Sequence, residues 1–408
     1  MKQRDLTKGS ITGNLMLFAL PLMAGNFLQQ CYNIADTLIV GRYLGANALA
    51  AVGSSYTLMT FLTSILIGMC MGSGAVFSIR FGEQDHKKLK EGILHSFGLI
   101  AAMTVVINVL VYAGLPLILK VLQVPAEVVP YMRTYLLVIF AGISATFLYN
   151  YFAALLRAVG NSVVPLIFLA VSTVLNIVLD LLFVLGFGWG VAGAAGATVL
   201  AQFVSGIGIT VYTLIRFPEF RLSREELHFD KRVLGEIAQL SFLTCLQSVM
   251  NFGILMVQGR VNSFGTAVMA AFAAAVKIDS FAYMPVQDFG NAFSTFIAQN
   301  YGAGKEKRIS QGIKSAVTAA FVFCLVISAA VCAFAAPLMG IFVNASQTEI
   351  ISIGVGYLRI EGAFYFGIGL LFLLYGYYRA VKMPGMSVIL TILSLGTRVV
   401  LAYTLSAV

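Results

Sequence analysis

Charge is what this sequence has least of. Only 11% of its 408 residues are Asp, Glu, Lys or Arg, against about 25% in a soluble domain. No long soluble domain can be cut from the chain. The five cysteines (Cys31, Cys70, Cys245, Cys324 and Cys332) lie singly in apolar segments, with neither metal-ligand spacing nor a disulfide framework. The three histidines (His86, His95 and His228) lie in or beside basic loops, and neither HExxH nor GxSxG occurs. Gly188-Trp189-Gly190-Val191-Ala192-Gly193 fits GxGxxG, but it lies between two apolar runs with no strand before it. Gly302-Ala303-Gly304-Lys305 echoes a phosphate loop, yet it lacks the first glycine spacing and the Ser or Thr after the lysine. With no nucleophile, metal triad or phosphate cradle, the expectation is a non-enzyme without a cofactor.

What the chain has in excess is apolar length. Fifty-nine per cent of it is hydrophobic, where about 45–50% is ordinary. Runs long enough to cross a bilayer, about 20 residues each, recur from end to end. Helices are the only element expected, because backbone polar groups must be satisfied within hydrocarbon and the alternation of a membrane barrel is absent. The runs place eleven spans at 14–40, 48–80, 92–118, 130–157, 163–186, 192–216, 232–263, 267–300, 310–337, 348–379 and 385–407. The first is too long for a signal-peptide core and reads as a retained span. Alternating the loops puts 19 of the 26 Lys and Arg residues on one face, with the N-terminus. By the positive-inside rule that face is cytoplasmic. The net charge of +9 is thus a topology signal, and no nucleic-acid partner is expected. Gly68 and Gly72 form a GxxxG, read as a helix-packing face.

Two halves repeat. Phe81-Gly82, Lys87-Lys88 and Gly92-Ile93 recur as Tyr301-Gly302, Lys307-Arg308 and Gly312-Ile313, an offset of 220. Tyr135-Leu136 and Arg157-Ala158-Val159 recur at 222, and Gln29, Asn33 and Gly41-Arg42 match Gln247, Asn251 and Gly259-Arg260 at 218. The pattern implies an all-α polytopic membrane protein of two homologous six-helix bundles, residues 1–222 and 223–408. An even number of spans per unit relates them by an axis along the membrane normal. The twelfth helix of this scheme would follow Val408; either the chain is truncated there or the last helix is absent.

Five acids fall within spans: Asp36, Asp180, Asp279, Asp288 and Glu361. Each costs about 2.5–3.5 kcal/mol at a bilayer centre and so usually faces a polar interior. At ~1.5 Å per residue, Asp36 lies roughly 7 Å, Asp180 about 9 Å and Thr198 about 10 Å inside the outer ends of their spans. Asn176 and Asp180 share a helix face at i and i+4, and Tyr135 reaches a similar level. Two carboxylates with no Lys or Arg at their depth call for a bound cation, H⁺ or Na⁺. In the second half Lys277, Asp279, Glu361 and Arg398 share a middle depth and sum to zero, which reads as a neutral packing network; a second coupling or substrate site is the alternative. The repeat-matched amides Gln29, Asn33, Gln247 and Asn251 are candidates for a substrate cleft. Pro21 lies 15 residues before Asp36 and marks a static kink or a hinge in span 1.

These residues resemble the multidrug and toxic compound extrusion (MATE) family over essentially the whole chain. The resemblance rests on Asp36-Thr37 with Gly41 following, Asn176 and Asp180, Thr198 after a Gly/Ala-rich stretch, and Arg157 and Arg379 at the ends of spans 4 and 10. It implies two bundles around a central cleft that opens to either side alternately. It also implies export of small amphipathic, often cationic, compounds against Na⁺ or H⁺. In the family the first-half cation site is built by residues matching Asp36, Asn176, Asp180 and Thr198, with a tyrosine matching Tyr135 nearby and a bend at the proline matching Pro21. Two departures stand out: Gln247 and Ile368 occupy positions where some members carry second-half acids, and the family has a twelfth span. The expected setting is the bacterial inner membrane, multi-pass, as a monomer in the lipid bilayer with a small-molecule substrate. The rival readings are a lipid-linked oligosaccharide flippase of the same superfamily, which calls for basic residues in the cleft, and a membrane-embedded enzyme.

Overall fold

The computed structural model describes residues 4–122, 124–221, 230–250, 257, 260–261 and 263–405, and among these no strand occurs. The helices are α1 (Ile11–Tyr43), α2 (Ala46–Gly82), α3 (His86–Val121), α4 (Val129–Ile139), α5 (Ile143–Ala158), α6 (Val163–Asp180) and α7 (Gly190–Arg216). They continue as α8 (Lys231–Met250), α9 (Thr266–Gly302), α10 (Glu306–Ala333), α11 (Ala335–Phe342), α12 (Thr348–Ala363), α13 (Tyr365–Ala380) and α14 (Pro384–Leu405). Ten segments among the described residues are long and apolar enough to cross a membrane, eleven with the bent pair α12–α13 counted as one. The eleven expected spans all find counterparts; the seventh is described only to Met250.

The helices are amphipathic in the sense opposite to a soluble protein. On α6, Ile167, Val171, Val174 and Val178 form an exposed stripe at helical spacing, while Thr173, Asn176 and Asp180 are buried on the other face. On α3, Val105, Val106, Val109 and Leu110 are likewise exposed. Lipid solvates such stripes, and the polar face must find its partners among neighbouring helices.

The chain falls into two compact units: Met1–Asp5 with Ala24–Cys245, and Leu6–Met23 with Leu246–Val408. This division does not follow the 222/223 boundary. The start of α1 belongs with the second half, and most of α8 with the first. In the first unit α8 lies on α2 through Gly72, where a Cβ would stand 2.6 Å from the Ser241 Cα, and through a Ser73–Ser241 hydroxyl pair at 2.9 Å. The GxxxG of span 2 is therefore a packing face at Gly72. Arg80 adds an ion pair to Glu236 at 2.7 Å, and the Asp230 N–H donates to His95 Nε2 at 2.9 Å. At the α2–α3 corner Asp85 caps α3, accepting the Lys88 N–H at 3.0 Å, which holds its carboxyl below the usual range.

Three spans are irregular where the apolar runs suggest uniform helices. Span 4 tightens into a 3₁₀ turn at Phe140–Gly142, span 9 breaks at Phe334, and span 10 bends by 51° at Phe364. Phe364 lies 222 residues after Gly142, the offset already seen in the sequence repeat. Side chains of α3 also bond carbonyls at the span-4 turn: Asn108 Nδ2 donates to Phe140 O at 3.0 Å and the Tyr112 hydroxyl to Leu137 O at 2.8 Å. The two glycine motifs are turns. Gly304 (φ 66°) joins α9 to α10, and Gly188 (φ 67°) precedes α7.

Removing these partners should loosen span 4. Asn108→Ala and Tyr112→Phe are each expected to cost about 1 kcal/mol of stability in detergent. The loss should be readable as lower thermal midpoints and faster hydrogen exchange confined to residues 137–146.

Candidate functional site

Small residues bring α7 against α6. Gly193, Ala194, Ala197 and Ala201 are buried on one side of α7, and a Cβ on Gly193 would stand 3.1 Å from the Phe183 carbonyl. Behind them a Cβ on Gly206 would meet the Ala145 carbonyl at 2.6 Å, so α5 and α7 also pack backbone to backbone. This proximity carries Thr198 onto the polar face of α6.

There the Asn176 amide is oriented to satisfy both of its neighbours. Its nitrogen donates to Asp180 Oδ2 at 3.0 Å, and its oxygen accepts from the Thr198 N–H at 3.2 Å and hydroxyl at 3.3 Å. The Thr198 oxygen accepts in turn from the Tyr32 hydroxyl at 3.1 Å. Tyr32 stands one turn before Asp36 on α1, so a hydrogen-bonded chain runs from α1 through Thr198 and Asn176 to Asp180. Asp36, Tyr135, Asn176, Asp180 and Thr198 are all buried. Asp36 and Asp180 lie within electrostatic reach of each other and of Tyr135.

Two oxygens stand out. Asp36 Oδ1 and Asp180 Oδ1 are buried and have no hydrogen-bond donor among the described residues. Nor does any described Lys, Arg or His come within 4.0 Å of either carboxylate. Carboxylate, hydroxyl and amide oxygens without a resident cation form a hard-ligand set that suits a proton or Na⁺. Directly after Asp180 the helix widens into a π turn, Leu181–Gly186, a form often found at functional positions. The sole tryptophan, Trp189, packs over that turn against Phe183 and Phe187, with centroids at 4.9 and 5.1 Å.

The sequence model of the MatE family matches residues 21–182 and 240–404. The chain belongs to the MatE family. Among curated relatives, the probable multidrug resistance protein YpnP of Bacillus subtilis (strain 168) is 32% identical over 384 residues, 93% of this chain and 85% of its own. The probable multidrug resistance protein NorM of Thermotoga maritima is 28% identical over 361 residues, 87% of this chain and 77% of its own. Among solved structures, an outward-facing multidrug resistance MATE family transporter of the MOP superfamily aligns with a TM-score of 0.91 at 23% identity. That alignment covers 99% of this chain and 91% of the other, and it shows a shared fold.

In the second unit this MatE chain has another acid centre, different from the neutral quartet expected. Arg398 pairs with Glu361 at 3.5 Å, Tyr357 lies within electrostatic reach of Glu361, and the Tyr365 hydroxyl donates to Asp279 Oδ1. Lys277 does not join them. Two residues from Asp279 on α9, it projects about 200° away around the helix and lies 5.9 Å from the centroid of the Phe342 ring. The cluster therefore carries two carboxylates against one guanidinium, and Asp279 Oδ2 is buried without a donor among the described residues.

The remaining candidates of the MatE chain are the four amides and Pro21. Gln29 is exposed, Asn33 half-buried and Gln247 buried in the second unit, while Asn251 lies outside the described residues. Pro21 sits inside an unbroken α1, two residues before that helix passes between units. Tyr32 was missed by sequence reasoning, although its i, i+4 spacing to Asp36 was a usable signal.

Thr198 holds this chain together, since it serves both Asn176 and Tyr32. Thr198→Val keeps the shape and the N–H bond to Asn176 but takes the acceptor from the half-buried Tyr32 hydroxyl and one donor from Asn176, and should cost about 1 kcal/mol in detergent unfolding. Thr198→Ser should be close to neutral. Equal stability of Thr198→Val and wild type would show that the chain carries no load.

Proposed function

We propose that this MatE protein is a multidrug efflux antiporter that expels small amphipathic, often cationic, organic compounds in exchange for Na⁺ or H⁺. The observation that carries the reading is the pair of buried carboxylates, each with an unpartnered oxygen and no basic neighbour among the described residues. Relatives named as multidrug resistance proteins support the substrate class. Asp36 and Asp180 would hold the cation, with Asn176 and Thr198 orienting Asp180 and supplying oxygen. Tyr32 ties α1 to the same chain, so neutralising the acids changes how α1 sits against α6 and α7. The membrane potential adds about 2.3 kcal/mol per charge per 100 mV to cation entry. The charge asymmetry of the loops supports an inner-membrane protein with a cytoplasmic N-terminus.

The second acid centre supports a further reading of the same function. Its excess negative charge and the free oxygen of Asp279 suit a second cation, or the positive group of a substrate, in the second unit.

Asp36→Asn keeps the shape of a protonated acid but can neither release a proton nor supply charge. In vesicles, its gradient-driven efflux of ethidium should fall to the level of protein-free controls while ethidium still binds. Imposing the pH and Na⁺ gradients separately on the wild type identifies the coupling ion. Fluorescence of Trp189, packed over the turn that follows Asp180, should respond to that ion in the wild type and not in Asp36→Asn. Gradient-sensitive efflux at the wild-type rate from Asp36→Asn would overturn the assignment.

A further inference from the structure

The amino-terminal peptide is bound by the corner between α9 and α10, within the second unit. Leu6 is fully buried, and its N–H donates to Gln299 Oε1 at 3.1 Å. Four successive carbonyls are then gripped. Leu6 O accepts from Asn300 Nδ2 at 3.3 Å and from Arg308 Nε and Nη2 at 3.3 and 3.1 Å. Thr7 O accepts from Lys305 Nζ at 2.7 Å, and Lys8 O and Gly9 O from Arg308 Nη2 and Nη1 at 2.9 and 2.8 Å. Gly9, at φ 72°, makes the turn into α1, and the Thr12 and Ser315 hydroxyls pair at 2.8 Å. Gln299 and Asn300 are fully buried, and Arg308 lies 5.6 Å from the Phe296 ring centroid. Charge-assisted bonds of this kind are stronger than neutral ones. They read backbone rather than side chains, so the corner is a built receptor for this peptide.

The peptide leads straight into α1, and α1 changes allegiance along its length. Leu6–Met23 belongs with the second unit and Ala24 onward with the first. One continuous helix thus has its start fastened by Arg308 and Lys305, and carries Tyr32 and Asp36 beyond the crossover. A helix conveys a displacement of one end only if its other end is held; a loose end slides and dissipates it.

We infer that residues 6–9 are a permanent anchor for α1, and that cation occupancy at Asp36 reaches the second unit through α1 only while this anchor holds. The inference rests on the coupling role proposed for Asp36. It makes Arg308 and Lys305 positioning residues for transport, although neither belongs to the acid sites.

The test uses the full chain in vesicles. Lys305→Ala with Arg308→Ala should reduce gradient-driven ethidium efflux by at least about tenfold, equivalent to about 1.4 kcal/mol. The cation-induced change in Trp189 fluorescence should be retained. Lys307→Ala, on the same turn of α10 but outside the grip, should match the wild type. Thr12→Cys with Ser315→Cys, oxidised in the Lys305/Arg308 double variant and confirmed by peptide mapping, should restore efflux, and reduction should abolish it again. This rescue separates a lost anchor from misfolding. Undiminished efflux in the double variant would overturn the inference. So would loss of efflux on oxidising the cysteine pair in the otherwise unaltered protein, because the peptide would then have to detach during transport. Asp36→Asn, measured alongside, judges the coupling reading separately: full activity there removes Asp36 as the origin of the movement, whatever the anchor variants show.

Discussion

A carboxylate within hydrocarbon has to be neutralised or partnered, and much of this protein is arranged around that constraint. Asp180 is fully buried and receives one hydrogen bond, from Asn176, which is itself held by Thr198. Thr198 reaches it because α7 carries glycine and alanine where bulkier residues would hold the helices apart. The small-residue stripe and the acid site are two parts of one device: close backbone packing replaces the water that would otherwise solvate the acid. What the helices leave unsatisfied, one oxygen on each of Asp36 and Asp180, is where the coupling cation is proposed to act.

The same accounting explains the breaks. A backbone turn inside a span exposes carbonyls that lipid cannot solvate, and here α3 supplies Asn108 and Tyr112 to cover them. Such partners make an irregular helix tolerable at membrane depth. Because an irregularity recurs at Phe364 in the second half, a 3₁₀ turn in the fourth span and a bend in the tenth fall at equivalent positions of the repeat. The halves nonetheless diverge in chemistry. Among the described residues the first gathers acids with no base, and the second sets Arg398 against Glu361 and leaves Asp279 to Tyr365.

Membership of the MatE family and the outward-facing fold relative agree with the resemblance seen in the residues themselves. The exchange of ends between units is a separate matter. The start of α1 belongs with the second unit and most of α8 with the first. Each of these two repeat-related helices thus contributes to both units, with Arg308 gripping the residues before α1 and Arg80 pairing with Glu236 on α8.

The sequence by itself determined the class, the spans and which acids lie within them. These follow from composition, from run length against bilayer thickness, and from the cost of burying charge, all of which act residue by residue. Asn176 and Asp180 were legible as a pair because helical spacing puts i and i+4 on one face. What only the tertiary structure decided depends on which helix faces which. Tyr32 joins the site because α1 packs where its hydroxyl meets Thr198, and depth alone does not give azimuth. Lys277 leaves the second-half cluster for the same reason: it shares the depth of Asp279 but points to another side of α9. The anchoring of residues 6–9 was beyond the sequence too, because Arg308 and Lys305 recognise backbone carbonyls, which every residue has and no side-chain pattern reveals.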